Sequence, residues 1–232
     1  MSLISSFMKK EGRILPVYVL LDVSGSMRGS KIDTVNVALK EMLNEFKKIE
    51  HPKGIIEVCL ITFGGDGVKV IKPLSKLDDG DYYQLTASGQ TPMGECFEKV
   101  SDLIEDTNSL PSNAYIPTIL LVSDGCPTDA HLSGTDPETI KKWPALQRIL
   151  SGKRTQAAVK LPLSIGDDAN IEILKCFKNN DQIPVIFAKD TEIISKYFKW
   201  VTMSVSVRSV SANPNEPVVA NTNYFDDGDM EF

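Results

Sequence analysis

The sequence predicts an α/β protein, doubly wound around a mostly parallel six-stranded sheet with one antiparallel edge strand. Three observations carry this. Strand-like apolar runs alternate with helical stripes along the chain, the order that builds a parallel sheet covered on both faces. The first run, "LPVYVLL" at 15–21, is apolar on both faces, as a central parallel strand must be. One pair of strands is joined by so short a link that it has to fold back antiparallel.

The elements follow in order. After the first strand, residues 30–49 place Ile32, Val35, Leu39, Met42, Phe46 and Ile49 at helical spacing, a stripe that faces a sheet. "HPKG" ends that helix. "IIEVCLITF" (55–63) is the second strand, "GGDG" (64–67) a hairpin turn and "VKVIKPL" (68–74) the antiparallel edge strand. Lys69 and Lys72 suit an exposed edge. A loop covers 75–91, and a helix over 92–106 has Pro92 in its first turn. "YIPTILLVSD" (115–124) is the fourth strand; a long loop and a helix over 137–150 follow. "AAVKLPLSIG" (157–166) and "IPVIFA" (183–188) are the last two strands, with helices over 169–178 and 191–203. Residues 1–11 form an N-terminal extension, 12–203 one domain, and 204–232 an extended or disordered acidic tail, rich in Ser, Val, Asn and Pro before "FDDGDMEF".

Composition narrows the function. The 232 residues are 42% hydrophobic and 24% charged, with a net charge of −6, so the chain can bury a core and lacks the basic surface that nucleic acid requires. No apolar run reaches the roughly 20 residues of a membrane span. No signal peptide is expected in "MSLISSFMKK". The four cysteines, Cys59, Cys96, Cys126 and Cys176, form no C-x-x-C pair, which argues against a zinc site or disulfide framework and for a reducing, cytoplasmic setting.

The chemistry concentrates in "DVSGSMRGS" at 22–30, just past the first strand. A Walker loop needs G-x-x-x-x-G-K-[ST] and a dinucleotide loop needs G-x-G-x-x-G; this stretch supplies neither. An aspartyl-phosphate enzyme of the haloacid-dehalogenase type needs a second aspartate two residues on, where Ser24 stands. Taken alone, D-x-S-G-S can be a turn and helix cap. Three segments together point elsewhere. Asp22-x-Ser24-x-Ser26, Thr91 ahead of the second helix, and Asp124 at the end of the fourth strand all fall on one edge of the predicted sheet, where open α/β sheets bind ligands. Hydroxyl and carboxylate oxygens suit a hard cation such as Mg²⁺. Two carboxylates offset its charge; the hydroxyls add oxygen without charge, which leaves a position for water or an incoming anion.

This constellation resembles the metal-ion-dependent adhesion site of von Willebrand factor type A domains: D-x-S-x-S as "DVSGS", Thr91 in a second loop, Asp124 in a third. The resemblance covers about residues 12–203 and implies the Rossmann-like fold of that family. A closer likeness, to tellurite-resistance (TerY-type) bacterial members, lies in "LPVYVLLDVSGSMRGSKIDTVNVAL", "TPMGECF", "LLVSDGCPTD" and "KYFKWVTMSVS". It implies a cytoplasmic protein of a stress system, with a protein kinase or phosphatase as partner. Carried over, Ser24 and Ser26 would bind Mg²⁺ (or Mn²⁺ or Ca²⁺) directly, and Thr91 directly or through water. Asp22 and Asp124 would act largely through water and hydrogen bonds.

The expected function is a non-enzymatic binding module that grips an Asp or Glu of a partner protein through the cation. No catalytic residue is assigned. The alternative is a metal-dependent phosphohydrolase at the same site. Cys126 and Asp129 in the third loop are outside the motif and are assigned no role, though Asp129 could support a ligand, and His131 reads as a surface histidine that could approach the site. The acidic tail could also fill the open metal position of its own or a neighbouring copy.

Overall fold

The computed structural model describes residues 12–49, 54–124, 126–166, 170–178, 180–217, 219–223 and 225–232. The expected N-terminal extension, 1–11, lies outside the described residues. Strands β1 (Arg13–Val23), β2 (Gly54–Gly64), β3 (Gly67–Ser75), β4 (Thr118–Ser123), β5 (Val159–Ile165), β6 (Val185–Ala188) and β7 (Met230–Glu231) form one sheet in the order β3-β2-β1-β4-β5-β6-β7. The five inner strands are parallel; β3 and β7 are antiparallel edges. The α/β class, the parallel centre and the β3 hairpin are as the sequence predicts. The sheet has seven strands instead of six, because two residues of the tail pair with β6.

The helices are α1 (Ser30–Lys48), α2 (Met93–Glu105), α3 (Pro137–Ile140), α4 (Pro144–Ser151), α5 (Ile171–Phe177) and α6 (Thr191–Val210). Alternation along β1 divides the core. Leu15, Val17, Val19 and Leu21 pack with α1 and α6, whereas Tyr18 and Leu20 pack with α2, α4 and α5. The stripe Ile32, Val35, Leu39, Met42 and Phe46 of α1 is buried as its spacing requires. Among the described residues no helix is long and apolar enough to cross a membrane.

Four local expectations fail for physical reasons. The helix expected over 137–150 is two, because Pro144 cannot continue a helix and holds Trp143 extended (ψ 118°). Lys72 is not an exposed edge lysine. It is 4% exposed, and its ammonium reaches the Lys76 carbonyl (3.2 Å) and Asp81 (3.7 Å) in the loop folded over it. The last helix runs to Val210. Its Ser- and Val-rich end buries Val205, and Ser204 and Ser206 hydroxyls donate to carbonyls four residues back (2.8 and 2.6 Å), so tertiary packing outweighs weak propensity.

The fourth concerns the tail. The buried guanidinium of Arg208 donates to the carbonyls of Pro214 (2.9 Å) and Ile116 (2.8 Å) and to the Thr118 hydroxyl. Trp200 Nε1 donates to the Ala220 carbonyl (2.8 Å), and Phe225 sits edge-on against the Trp200 ring. At the end, Lys175 pairs with Glu231 and Lys189 donates to the Gly228 carbonyl (2.6 Å). Asp229 and Glu231 of the tail therefore lie at the β6 edge. These two do not lie at the β1–β4 end, where the candidate site is, so neither fills the chain's own site in this conformation.

Candidate metal centre

β1 and β4 are neighbours in the sheet, in register at Leu21 and Val122, so Asp22 at the end of β1 stands level with Ser123 and Asp124 follows one position further on. Both side chains are buried, Asp22 at 0% and Asp124 at 6% exposure. Asp22 is fully engaged. Its Oδ1 accepts the Ser24 amide (2.8 Å) and its Oδ2 accepts the Ser123 hydroxyl (2.6 Å). Burial pushes the Asp22 carboxyl up to about 6; the Ser123 and Ser24 hydrogen bonds pull it down, and the neighbouring Asp124 charge raises it. Asp124 is placed differently: its Oδ1 is buried and has no hydrogen-bond partner among the described residues.

The first loop turns sharply after β1. Ser24 precedes a 3-10 turn over Gly25–Met27, Met27 is fully buried beneath it, and Gly29 (φ 79°) leads into α1. This turn brings the Ser24 and Ser26 hydroxyls within 3.0 Å of each other. Glycine at 25 has a local reason. The Gly25 amide donates to the Gly89 carbonyl (2.9 Å), and a Cβ at 25 would stand 3.3 Å from that oxygen. Gly89 in turn adopts φ +67° and presses on Gly65, where a Cβ would come within 2.3 Å of the Gly65 Cα. The second loop is thus pinned between the first loop and the β2–β3 turn.

Thr91 follows in that second loop, 5% exposed. It is tied to the third loop by two bonds. Its amide donates to Thr128 Oγ1 (3.1 Å), and its carbonyl accepts the Thr128 amide (2.9 Å). Asp129, next along, accepts from the Gly94 amide (3.1 Å) and the Glu95 amide (3.0 Å), supplying the N-terminal cap that Pro92 cannot give α2. The five predicted residues therefore stand on three loops at one sheet edge, joined by hydrogen bonds through Ser24, Gly89 and Thr128. Asp129 is a cap of α2. His131 and Cys126 are both exposed.

Sequence reasoning missed Ser123, Thr128 and the capping role of Asp129. Nothing local marks Ser123. Nothing local marks the other two either: only the structure shows that α2 starts after Pro92 without a side-chain cap of its own.

The donor set fits a hard divalent cation. The Ser24, Ser26 and Thr91 hydroxyls and the unpartnered Asp124 Oδ1 are oxygens, and Asp22 is held as an acceptor that orients Ser24. Among the described residues no three His, Cys, Asp or Glu side chains gather as a metal cage. A hydroxyl-dominated site with two carboxylates is consistent with that.

Comparison with known proteins comes to the same region. Residues 17–127, from β1 to the third loop, match the family model of the von Willebrand factor type A domain. No curated protein matches the sequence. Among solved structures, the pilus adhesin SpaC of Lactobacillus rhamnosus GG in its open conformation is similar with a TM-score of 0.66 at 16% identity, over 85% of this chain and 30% of the adhesin. A von Willebrand factor type A protein from Catenulispora acidiphila gives 0.58 at 18%, over 83% of this chain and 42% of that one. Proximal thread matrix protein 1 of the mussel byssus, described with a zinc-occupied MIDAS motif, gives 0.58 at 16%, over 83% and 45%. The chain spans less than half of each of these proteins, and at such identities the likeness is one of fold.

Proposed function

We propose that the von Willebrand factor type A domain of this chain is a metal-dependent protein-binding module. Ser24, Ser26 and Thr91 would hold Mg²⁺, Mn²⁺ or Ca²⁺ through their hydroxyls, with Asp22 and Asp124 acting largely through water and hydrogen bonds. A bound cation supplies a Lewis-acidic position that a partner's Asp or Glu can occupy. The observation that carries this reading is Asp124 Oδ1, a buried acceptor without a partner among the described residues, at the sheet edge that also carries the paired Ser24 and Ser26 hydroxyls. A buried polar atom left unpaired costs about 1–3 kcal/mol, so an arrangement that keeps one points to something that satisfies it.

The residues themselves do the orienting. Asp22 accepts the Ser24 amide and so fixes the turn that aims both serine hydroxyls. Its other oxygen holds Ser123, which ties the first loop to the end of β4. The burial of both carboxylates lowers the local dielectric, which strengthens any contact made there. The zinc-occupied MIDAS motif of the mussel protein supports a divalent ion in a fold of this kind.

The wider setting follows from the sequence resemblance: a cytoplasmic, TerY-type bacterial stress or tellurite-resistance system, with a protein kinase or phosphatase as partner. The experiment is a pull-down with the full chain in Mg²⁺, with chelator, and with Ser24→Ala and Ser26→Ala. A partner captured only by the wild type in Mg²⁺ is expected. A partner held equally in chelator overturns the reading. Turnover of a phosphoester that Asp22→Ala abolishes would replace it with the phosphohydrolase alternative.

A further inference from the structure

We propose that Thr128 and Asp129 are positioning residues that set the cation affinity of this site by fixing the backbone around Thr91. The inference rests on the metal-centre reading above and adds two residues to it.

Thr128 holds both polar backbone groups of Thr91: Oγ1 accepts its amide at 3.1 Å, and the Thr128 amide donates to its carbonyl at 2.9 Å. Asp129 holds the next anchor, accepting from Gly94 and Glu95 at 3.1 and 3.0 Å. Thr91 and Pro92 therefore stand between two fixed points, both supplied by the loop that also carries Asp124. With the backbone fixed, the Thr91 hydroxyl is left chiefly its own side-chain rotation.

The fit is close. A Cβ on Gly94 would stand 2.9 Å from Asp129 Oδ2 and 2.7 Å from the Trp143 ring, so glycine is what lets the carboxylate reach the helix end. The clamp couples Thr91 to Asp124 through one loop, although they sit on separate segments of the chain. A ligand set held this way binds an ion without first ordering its loop, and groups that orient ligands typically govern metal affinity by about 10–100-fold.

The test uses the full chain and Mn²⁺ alone, with free Mn²⁺ followed by electron paramagnetic resonance. Thr128→Val removes the Oγ1 acceptor at nearly constant volume and should weaken Mn²⁺ binding by roughly 10-fold or more. Thr128→Ser restores the acceptor and should restore affinity. Asp129→Asn, which keeps one carbonyl oxygen for two donors, should weaken binding from the other anchor. Arg208→Lys, at the opposite end of β4, should lower the melting temperature and leave Mn²⁺ affinity unchanged. The proposal is overturned if the wild type binds Mn²⁺ and Thr128→Val and Asp129→Asn bind it equally well. It is also overturned if Arg208→Lys weakens binding as much as they do, because the loss is then one of general stability. A wild type that binds no Mn²⁺ overturns the metal-centre reading itself, and this inference with it.

Discussion

Lys160 gives a prediction whose size follows from the structure. It lies on β5, 0% exposed, and among the described residues its ammonium reaches only carbonyl oxygens, those of Thr155 (2.8 Å) and Ala158 (3.4 Å). Burial pushes its pKa from 10.5 down to about 7. Between those two values the unfolded chain holds a proton that the native protein does not. Stability therefore rises with pH across that window and is lost as pH falls towards 7. One proton of difference is worth about 1.4 kcal/mol per pH unit. Allowing for partial protonation near pH 7, the wild type should gain about 2 kcal/mol from this lysine between pH 7 and pH 9. Buried thiols oppose the trend at the upper end: burial raises Cys59 to about 12, so the unfolded chain ionises there first. The comparison that isolates Lys160 is urea unfolding of the wild type and Lys160→Met at pH 7, 8 and 9. The difference between the two proteins should change by about 2 kcal/mol over the range, with the variant favoured most at pH 7. Parallel pH dependences for the two would refute the reasoning.

Other outcomes follow from the same structure. Arg208→Met leaves the Pro214 and Ile116 carbonyls and the Thr118 hydroxyl without their donor; a loss of about 3 kcal/mol is expected by urea unfolding. Truncation after Phe225 removes the β7 strand and the ion pair with Lys175 but leaves the Trp200 contact. Partner affinity should be unchanged in a surface-binding assay, and a gain would restore the tail as a competitor for the site. Mn²⁺ in large excess over its dissociation constant should raise the melting temperature, since a ligand at 100 times that constant adds about 2.7 kcal/mol; scanning calorimetry with and without chelator reads it. Ser24→Ala with Ser26→Ala should abolish that rise.

Much of this architecture was legible because it is periodic. The α1 stripe, the doubly buried β1 and the short β2–β3 link each have one reading, and together they place Asp22 and Asp124 at one sheet edge. What escaped is tertiary. Lys72 reads as an edge lysine until the loop at 76–81 folds over it. The end of α6 reads as irregular because Ser and Val are weak helix formers; burial of Val205 and the Arg208 clamp decide otherwise. Thr128 and Asp129 gain their roles from partners more than thirty positions away, on a helix that starts without a cap of its own. No local pattern encodes such a contact.

The most direct test of the account is an anomalous-diffraction map from crystals of this protein grown with Mn²⁺. The account predicts a peak bounded by the Ser24, Ser26 and Thr91 hydroxyls, on the side of the unpartnered Asp124 Oδ1, and no peak in Ser24→Ala/Ser26→Ala crystals. Wild-type crystals without a peak there, or a peak that survives in the double variant, would contradict it.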